Sequence, residues 1–420
     1  MSAKQTFVIV GGGLAGAKAA QTLRDEGFDG RVVLLGEEDS RPYERPPLSK
    51  DLLRGEAAAD SIFVHEETYY ASADIELRTG TRVTELALSA SEVVLGDGER
   101  IGFDRLLLAT GSAPRQLPVP GAELPNVHAL RTAGDAERLR GALLPGARLV
   151  VVGAGWIGCE VAASARQLGV EVTIVAPGAV PLERVLGPEV GAAYRDLHLA
   201  HGAVLALGAG VEAIEGTDRA TGVRTTDGRV LAADVVVVGI GAAPRTALAE
   251  GAGLRVDDGV LVDDRLRTSV ATVFAAGDIA RAQHPVFGQP VRVEHWANAL
   301  EQGPAAARNM LGRDEAYDRI PYFFSDQYDA GMEYAGHAPA WDRVVFRGDP
   351  AGQEFMAFWM QGARVAAGMN LNVWDVTDDV QALVRSGIAV EDDVLRDAAV
   401  PLSEVSSAAA GRPGSSRPRE

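Results

Sequence analysis

One cysteine, Cys159, serves a chain of 420 residues, and no CxxC pair occurs in it. An intramolecular dithiol–disulfide relay is therefore excluded, as is an iron–sulfur cluster held by the chain's own thiolates. Cys159 reads as a small buried hydrophobe on the opening turn of a helix. No run of 18 or more apolar residues escapes a charge, so no transmembrane helix is expected. The apolar N-terminus has no basic leader and no cleavage site, and a cytoplasmic protein with no membrane partner follows. Positive charge is in deficit: 40 Lys and Arg against 58 Asp and Glu leave a net charge of −18. That balance argues against a nucleic-acid partner, because phosphate binding needs a basic surface. It does not exclude a local basic patch. Histidine is also sparse; His198 and His201 stand three apart with no further ligands near, so they are read as a surface helix and no metal site is expected.

Glycine is plentiful, and its placement carries the argument. Gly11-Gly12-Gly13-Leu14-Ala15-Gly16 directly follows the apolar run 7–10, and Gly153-Ala154-Gly155-Trp156-Ile157-Gly158 directly follows 149–152. Each reads as strand, glycine turn and helix, the context a GxGxxG match requires. Gly11 and Gly153 permit the tight turn, and Gly13 and Gly155 let backbone approach a pyrophosphate. Gly16 and Gly158 let helix pack on strand, with the helix N-terminus facing the phosphates. Two such devices predict two dinucleotides in one chain and electron transfer between them.

An internal repeat supports a duplicated nucleotide-binding domain. Asp97-Gly98 and Asp227-Gly228 are hairpin signals, each leading into an apolar strand (106–109 and 235–238) that exits at Gly111 or Gly241. With 47% apolar residues the chain can bury two or three cores. The expected organisation is a discontinuous first domain (1–116 and 241–320), a second nucleotide domain (117–240), a C-terminal interface domain with an antiparallel sheet (321–405) and a disordered tail (406–420). The fold class is α/β, with two Rossmann-like domains and an α+β C-terminal domain.

Glu37 lies about twenty residues beyond Gly16, where a carboxylate accepts hydrogen bonds from an adenosine ribose. The stretch RPYERPPLSK (41–50) is stiffened by prolines and presents Arg45 and Lys50. Together with both fingerprints, Ala109-Thr110-Gly111, Phe274-Ala275-Ala276-Gly277-Asp278, Glu294-His295-Trp296-Ala297-Asn298-Ala299 and Ser325-Asp326-Gln327-Tyr328, it resembles the oxygenase-coupled NAD(P)H-dependent ferredoxin reductases. These are glutathione-reductase-like FAD flavoproteins, and the resemblance covers about residues 4–390.

The resemblance implies that the first fingerprint with Glu37 holds the ADP half of a tightly bound FAD. Arg45 and Arg131 neutralise its phosphates, Val83 bonds adenine through its backbone, and Asp278 binds the ribityl chain. Trp296 lies beside the isoalloxazine, and His295 lines its face or packs. Lys50 approaches flavin N5 and Glu160 pairs with it; such a pair suits hydride transfer, the ammonium stabilising anionic reduced flavin and the carboxylate orienting the nicotinamide. The implied partner is an iron–sulfur ferredoxin that supplies an oxygenase, and the implied state a monomer or weak homodimer. Its docking patch is expected at Arg308 and Arg313, with Arg281 and Arg292.

Two departures from the family pattern matter. The strand 172–175 ends at Ala176 where NADH users usually place an acid, with Arg184 the nearest candidate cation, so NADH is favoured over NADPH only by resemblance. Tyr322-Phe323-Phe324 stand where relatives tend to carry tryptophans. Two rival functions remain: an NADH oxidase, whose redox cysteine this chain lacks, and an apoptosis-inducing-factor-like flavin and NAD binding or signalling protein.

Overall fold

The computed structural model describes residues 4–405; the tail expected to be disordered, 406–420, lies outside them. Among the described residues no helix is long and apolar enough to cross a membrane. The chain divides into two compact units. The first contains the residues through Pro118, Ala122–Leu143 and Val237–Arg319; the second contains Val119–Gly121, Leu144–Val236 and the chain from Ile320 onward.

The first unit is built on a five-stranded parallel sheet. Its order is Val273–Ala275, Arg105–Leu108, Thr6–Val10, Arg31–Leu35 and Ile75–Arg78. Unbroken apolar runs suit strands covered on both faces, and Val8, Ile9, Val33, Leu34, Leu106 and Leu107 are fully buried. Helix Leu14–Asp25 begins at the end of the first strand. Helix Trp296–Met310 crosses it at glycine, where a Cβ on Gly303 would stand 2.3 Å from Ala15 O. A three-stranded antiparallel sheet (Val83–Ala87, Glu92–Leu95, Arg100–Gly102) inserts between Ile75–Arg78 and Arg105–Leu108, and Gly98 turns it at φ 90°.

The second unit repeats the plan. Val204–Leu207, Glu171–Ala176 and Arg148–Val152 pair in parallel, and helix Trp156–Gln167 starts from the second glycine turn. A second antiparallel trio (Val211–Gly216, Ala220–Thr225, Val230–Ala232) turns at Gly228 with φ 86°. From Tyr322 the chain forms a five-stranded antiparallel sheet. Its order is Tyr322–Gln327, Ala330–Gly336, Arg364–Leu371, Glu354–Gln361 and Arg343–Asp349. The fold is thus α/β, with two Rossmann-like sheets and an antiparallel C-terminal sheet.

That C-terminal sheet packs on the second nucleotide-binding half within the same unit. Trp359 is fully buried and donates its indole N–H to Leu186 O at 3.1 Å. Phe323 meets Trp156 edge-on at 5.0 Å. Helix Glu183–Ala200, broken at Gly187 and Pro188, lies under this sheet. His198 on it is therefore fully buried, not on a surface as the sequence suggested. Its hydrogen-bond partners, Gln327 and Tyr328, come from the end of the first C-terminal strand, about 130 residues away in sequence.

Candidate active site

In the first unit Gly11 adopts φ 127°, and a Cβ there would lie 2.0 Å from Ala109 O. This close approach seats Ala109-Thr110-Gly111 against the glycine turn. A Cβ on Gly16 would sit 2.1 Å from Gly11 O, whereas one on Gly13 would meet nothing within 4 Å. Gly13 caps helix Leu14–Asp25 without a side-chain hydrogen bond, and the first turn holds no acid. Open space beside uncapped N–H groups at a positive helix end fits a phosphate. Leu14 and Ala15 are buried behind it. Gly277, at φ 78°, packs on Ala15 and donates its N–H to Gln302 Oε1 at 2.9 Å, which fixes Asp278 beside the turn.

The charged residues expected around FAD form one connected set. Arg131 Nη2 donates to Asp278 Oδ2 at 2.7 Å, and Arg45 Nη1 donates to Arg131 O. Arg45 Nη2 also pairs with Glu38 at 3.1 Å. The capping box of Thr132 and Asp135 holds Arg131, whose backbone N–H donates to Asp135 at 3.0 Å. The Nε of Arg131 is buried with no hydrogen-bond partner. A buried guanidinium nitrogen left unsatisfied is costly, and an anionic group would relieve it. The uncapped helix end and this orphaned donor together fit a dinucleotide pyrophosphate.

Glu37 follows Gly36, whose N–H bonds Arg78 O at 2.9 Å. Its carboxylate takes Arg245 at 2.7 Å and Arg82 at 3.5 Å. Val83 is buried in the strand that begins just beyond Arg82. Arg245 was not anticipated, but a repeat marks it: Gly111-Ser-Ala-Pro-Arg115 and Gly241-Ala-Ala-Pro-Arg245. These pentads pair antiparallel, with Arg115 N–H to Gly241 O and Arg245 N–H to Gly111 O both at 2.9 Å. Lys50 ends the 3-10 turn Pro46–Ser49 and is 8% exposed, with Nζ 3.5 Å from Pro46 O. Tyr43 in the same loop is pushed up to about 12, chiefly by burial, and donates its hydroxyl to Glu38. Glu294 pairs with Arg292 and accepts from Ser112 at 3.4 Å. His295 caps helix Trp296–Met310 and is pushed down to about 4 by desolvation, against the nearby Asp278 carboxylate.

The expected basic docking patch is neutralised. Arg308 and Arg313 both bind Glu26 at 3.0 Å, Arg281 binds Asp257 at 2.6 Å, and Arg292 binds Asp258 at 3.2 Å as well as Glu294. A guanidinium paired at the surface projects little field.

In the second unit Gly153 has φ 108°, and a Cβ on Gly158 would lie 2.1 Å from Gly153 O. Helix Trp156–Gln167 is capped by Gly155, again without a side-chain bond. Ile157 on its first turn is 44% exposed, and Trp156 packs on Tyr194 and Phe323. Glu160, one turn on, is 4% exposed and accepts the Ser325 hydroxyl at 2.7 Å. Cys159 is fully buried, and burial pushes its thiol up. Ala176 ends its strand as expected, and a carboxylate stands beside the turn that follows it. Glu183 Oε2 accepts Ala179 N–H at 2.8 Å and lies against Gly178. Leu182, held at φ 58°, donates its N–H to Ala154 O at 2.9 Å, which docks the start of this helix on the second glycine turn.

Residues 5–303 match the family described as pyridine nucleotide-disulphide oxidoreductase, and residues 322–406 match the reductase C-terminal family. The chain is 38% identical to putidaredoxin reductase of Pseudomonas putida over 97% of its length and 98% of that protein. It is 39% identical to the ferredoxin–NAD(+) reductase component of the anthranilate 1,2-dioxygenase system of Burkholderia cepacia, over 94% and 98%. Its structure superposes on the reductase of a covalent putidaredoxin reductase–putidaredoxin complex with a TM-score of 0.94, at 38% identity over 98% of this chain and 100% of that one.

Proposed function

Since this chain belongs to the pyridine nucleotide-disulphide oxidoreductase family, we propose that it is an FAD-dependent ferredoxin reductase that draws electrons from NADH and delivers them to an iron–sulfur ferredoxin serving an oxygenase. One observation carries the reading: each unit contains a glycine turn opening an uncapped helix, while the single cysteine is fully buried. Two nucleotides and no dithiol leave an external acceptor as the exit for electrons. Bound FAD would supply the conversion of a two-electron donor into one-electron steps.

The residues take the following parts. Arg45 and Arg131 hold the pyrophosphate of FAD, Glu37 and Val83 its adenosine, and Asp278 its ribityl chain. Ala109, Thr110 and Gly111 line the FAD site beside the first glycine turn, and Glu294, His295 and Trp296 border its ring. The second turn, with Trp156 and Ile157, receives NADH, and Gly241 lies with the FAD unit. Lys50 is the cation for charge that develops during hydride transfer, and Glu160 orients the reacting groups. Residues through 118, with 122–143 and 237–319, serve FAD, 144–236 serve NADH, and 321–405 serve the partner. The enzyme acts as a monomer or weak homodimer in the cytoplasm, where NADH is generated.

The purified protein is expected to be yellow with one FAD, and to reduce cytochrome c rapidly only when a ferredoxin is added. Thiol alkylation of the native protein should leave that rate near normal. A long-lived nucleotide–flavin complex with slow turnover for every ferredoxin tried would favour the signalling reading instead.

A further inference from the structure

The segment Ser325-Asp326-Gln327-Tyr328 has no part in the reading above, yet three of its side chains converge on one buried line. Ser325 and Gln327 are two apart on a strand and so face the same way, toward Glu160 and His198. Ser325 Oγ lies 2.7 Å from Glu160 Oε1, and Gln327 Nε2 lies 3.3 Å from Ser325 Oγ. His198 Nε2 lies 3.1 Å from Gln327 Oε1, and His198 Nδ1 lies 3.2 Å from the Tyr328 hydroxyl. Glu160, Ser325, Gln327 and His198 are all at least 96% buried. The line ends near the surface, where His201 stacks on Tyr328 at 3.8 Å.

The hydrogen directions follow from the Glu160 end. A carboxylate only accepts, so Ser325 must donate to it, and Gln327 must then donate to Ser325 through its amide NH₂. That turns the Gln327 carbonyl toward His198, which must carry its proton on Nε2. Nδ1 is then left to accept from Tyr328 O–H. Every donor points toward the carboxylate, an arrangement in which successive bonds strengthen one another. Tyr328 takes its place through a left-handed backbone at φ 58°, a conformation unfavourable for a non-glycine residue.

We propose that Tyr328, His198, Gln327 and Ser325 form a one-way chain of positioning residues that fixes the Glu160 carboxylate for hydride transfer. The chain holds the carboxylate through Oε1. This inference rests on the role assigned above to Glu160; the chain itself does not.

Nitrogen-15 NMR of histidine-labelled holoenzyme tests the chain directly, with the His198 signal assigned by its loss in His198→Gln. The Nε2–H tautomer is expected, and an Nδ1–H tautomer would overturn the proposal. Stopped-flow reduction by NADH tests the positioning. Ser325→Ala should lower the limiting rate roughly tenfold to a hundredfold, the loss of one hydrogen bond to a charged group, while the Kd for NADH stays within about twofold. Ser325→Thr, which keeps the hydroxyl, should restore the rate. A wild-type rate in Ser325→Ala beside a slow Glu160→Gln would sink the chain's role. A wild-type rate in Glu160→Gln would instead sink the functional reading on which it depends.

Discussion

Gly303 lies so close to Ala15 that a Cβ on it would stand 2.3 Å from the Ala15 carbonyl oxygen. This contact couples helix Trp296–Met310 to the helix that opens from the first glycine turn, and it is backbone against backbone. Neither side can yield as a flexible side chain would, so Gly303→Ala must push the helices apart. We expect destabilisation of about 1–3 kcal/mol and loss of FAD on gel filtration, since Ala15 also packs on Gly277 beside Asp278. Gly141, also within a helix but with open space around it, is the control. Gly141→Ala should be neutral or stabilising by roughly 0.5–1 kcal/mol. Equal melting temperatures for the two variants would refute the account.

Lys50→Ala should slow flavin reduction by NADH on the order of 10²-fold with FAD content unchanged. In the role proposed for Lys50, the lost cation would act on charge that develops during the transfer, so the rate constant should fall while cofactor affinity holds. Stopped-flow absorbance at saturating NADH reads the first quantity and flavin release on denaturation the second. A wild-type rate would make Lys50 structural.

Cofactor choice should follow the carboxylates near the end of strand Glu171–Ala176. Glu183 lies against Gly178 and accepts from Ala179. Glu183→Gln keeps an acceptor for that N–H but removes a charge that would repel a 2′-phosphate bound there, so the NADH to NADPH ratio of kcat/KM should fall. Ala176→Glu should raise it, by adding a ribose acceptor and a second repulsive charge. A shift worth 1.4 kcal/mol is about tenfold. If neither substitution moves the ratio, the adenosine ribose is bound elsewhere.

Acid should destabilise the fold before its carboxylates titrate. Desolvation holds His198 and His295 near pKa 4, below the ordinary histidine value of 6.5. The unfolded chain therefore binds more protons between these values, and stability rises with pH across that window. It is fully present above about pH 6.5 and is lost as pH falls toward 4, by on the order of 3 kcal/mol for a fully desolvated histidine. Urea midpoints from pH 7 to 4 should decline, and His198→Gln should decline less. A flat profile in the wild-type protein would contradict the burial of the His198 ring.

Several features were legible in the sequence because their causes are local. A strand followed by Gly11-Gly12-Gly13 or Gly153-Ala154-Gly155 needs positive φ and close backbone approach within a few residues, and Asp97-Gly98 and Asp227-Gly228 close hairpins for the same reason. The burial of Cys159 likewise followed from its place just past a fingerprint. Only tertiary structure decided which charges and polar groups meet. Arg308 and Arg313 offered themselves as a free cationic patch, yet both found Glu26, more than 280 residues away. His198 looked exposed because its helix was read alone, before a sheet formed about 130 residues later covered it. Glu160 could be read as a first-turn carboxylate, but Ser325, 165 residues distant, supplies its hydrogen bond. Backbone conformation is set by a residue and its neighbours, whereas a charge or a buried hydroxyl takes whichever partner the packed core brings within about 3 Å.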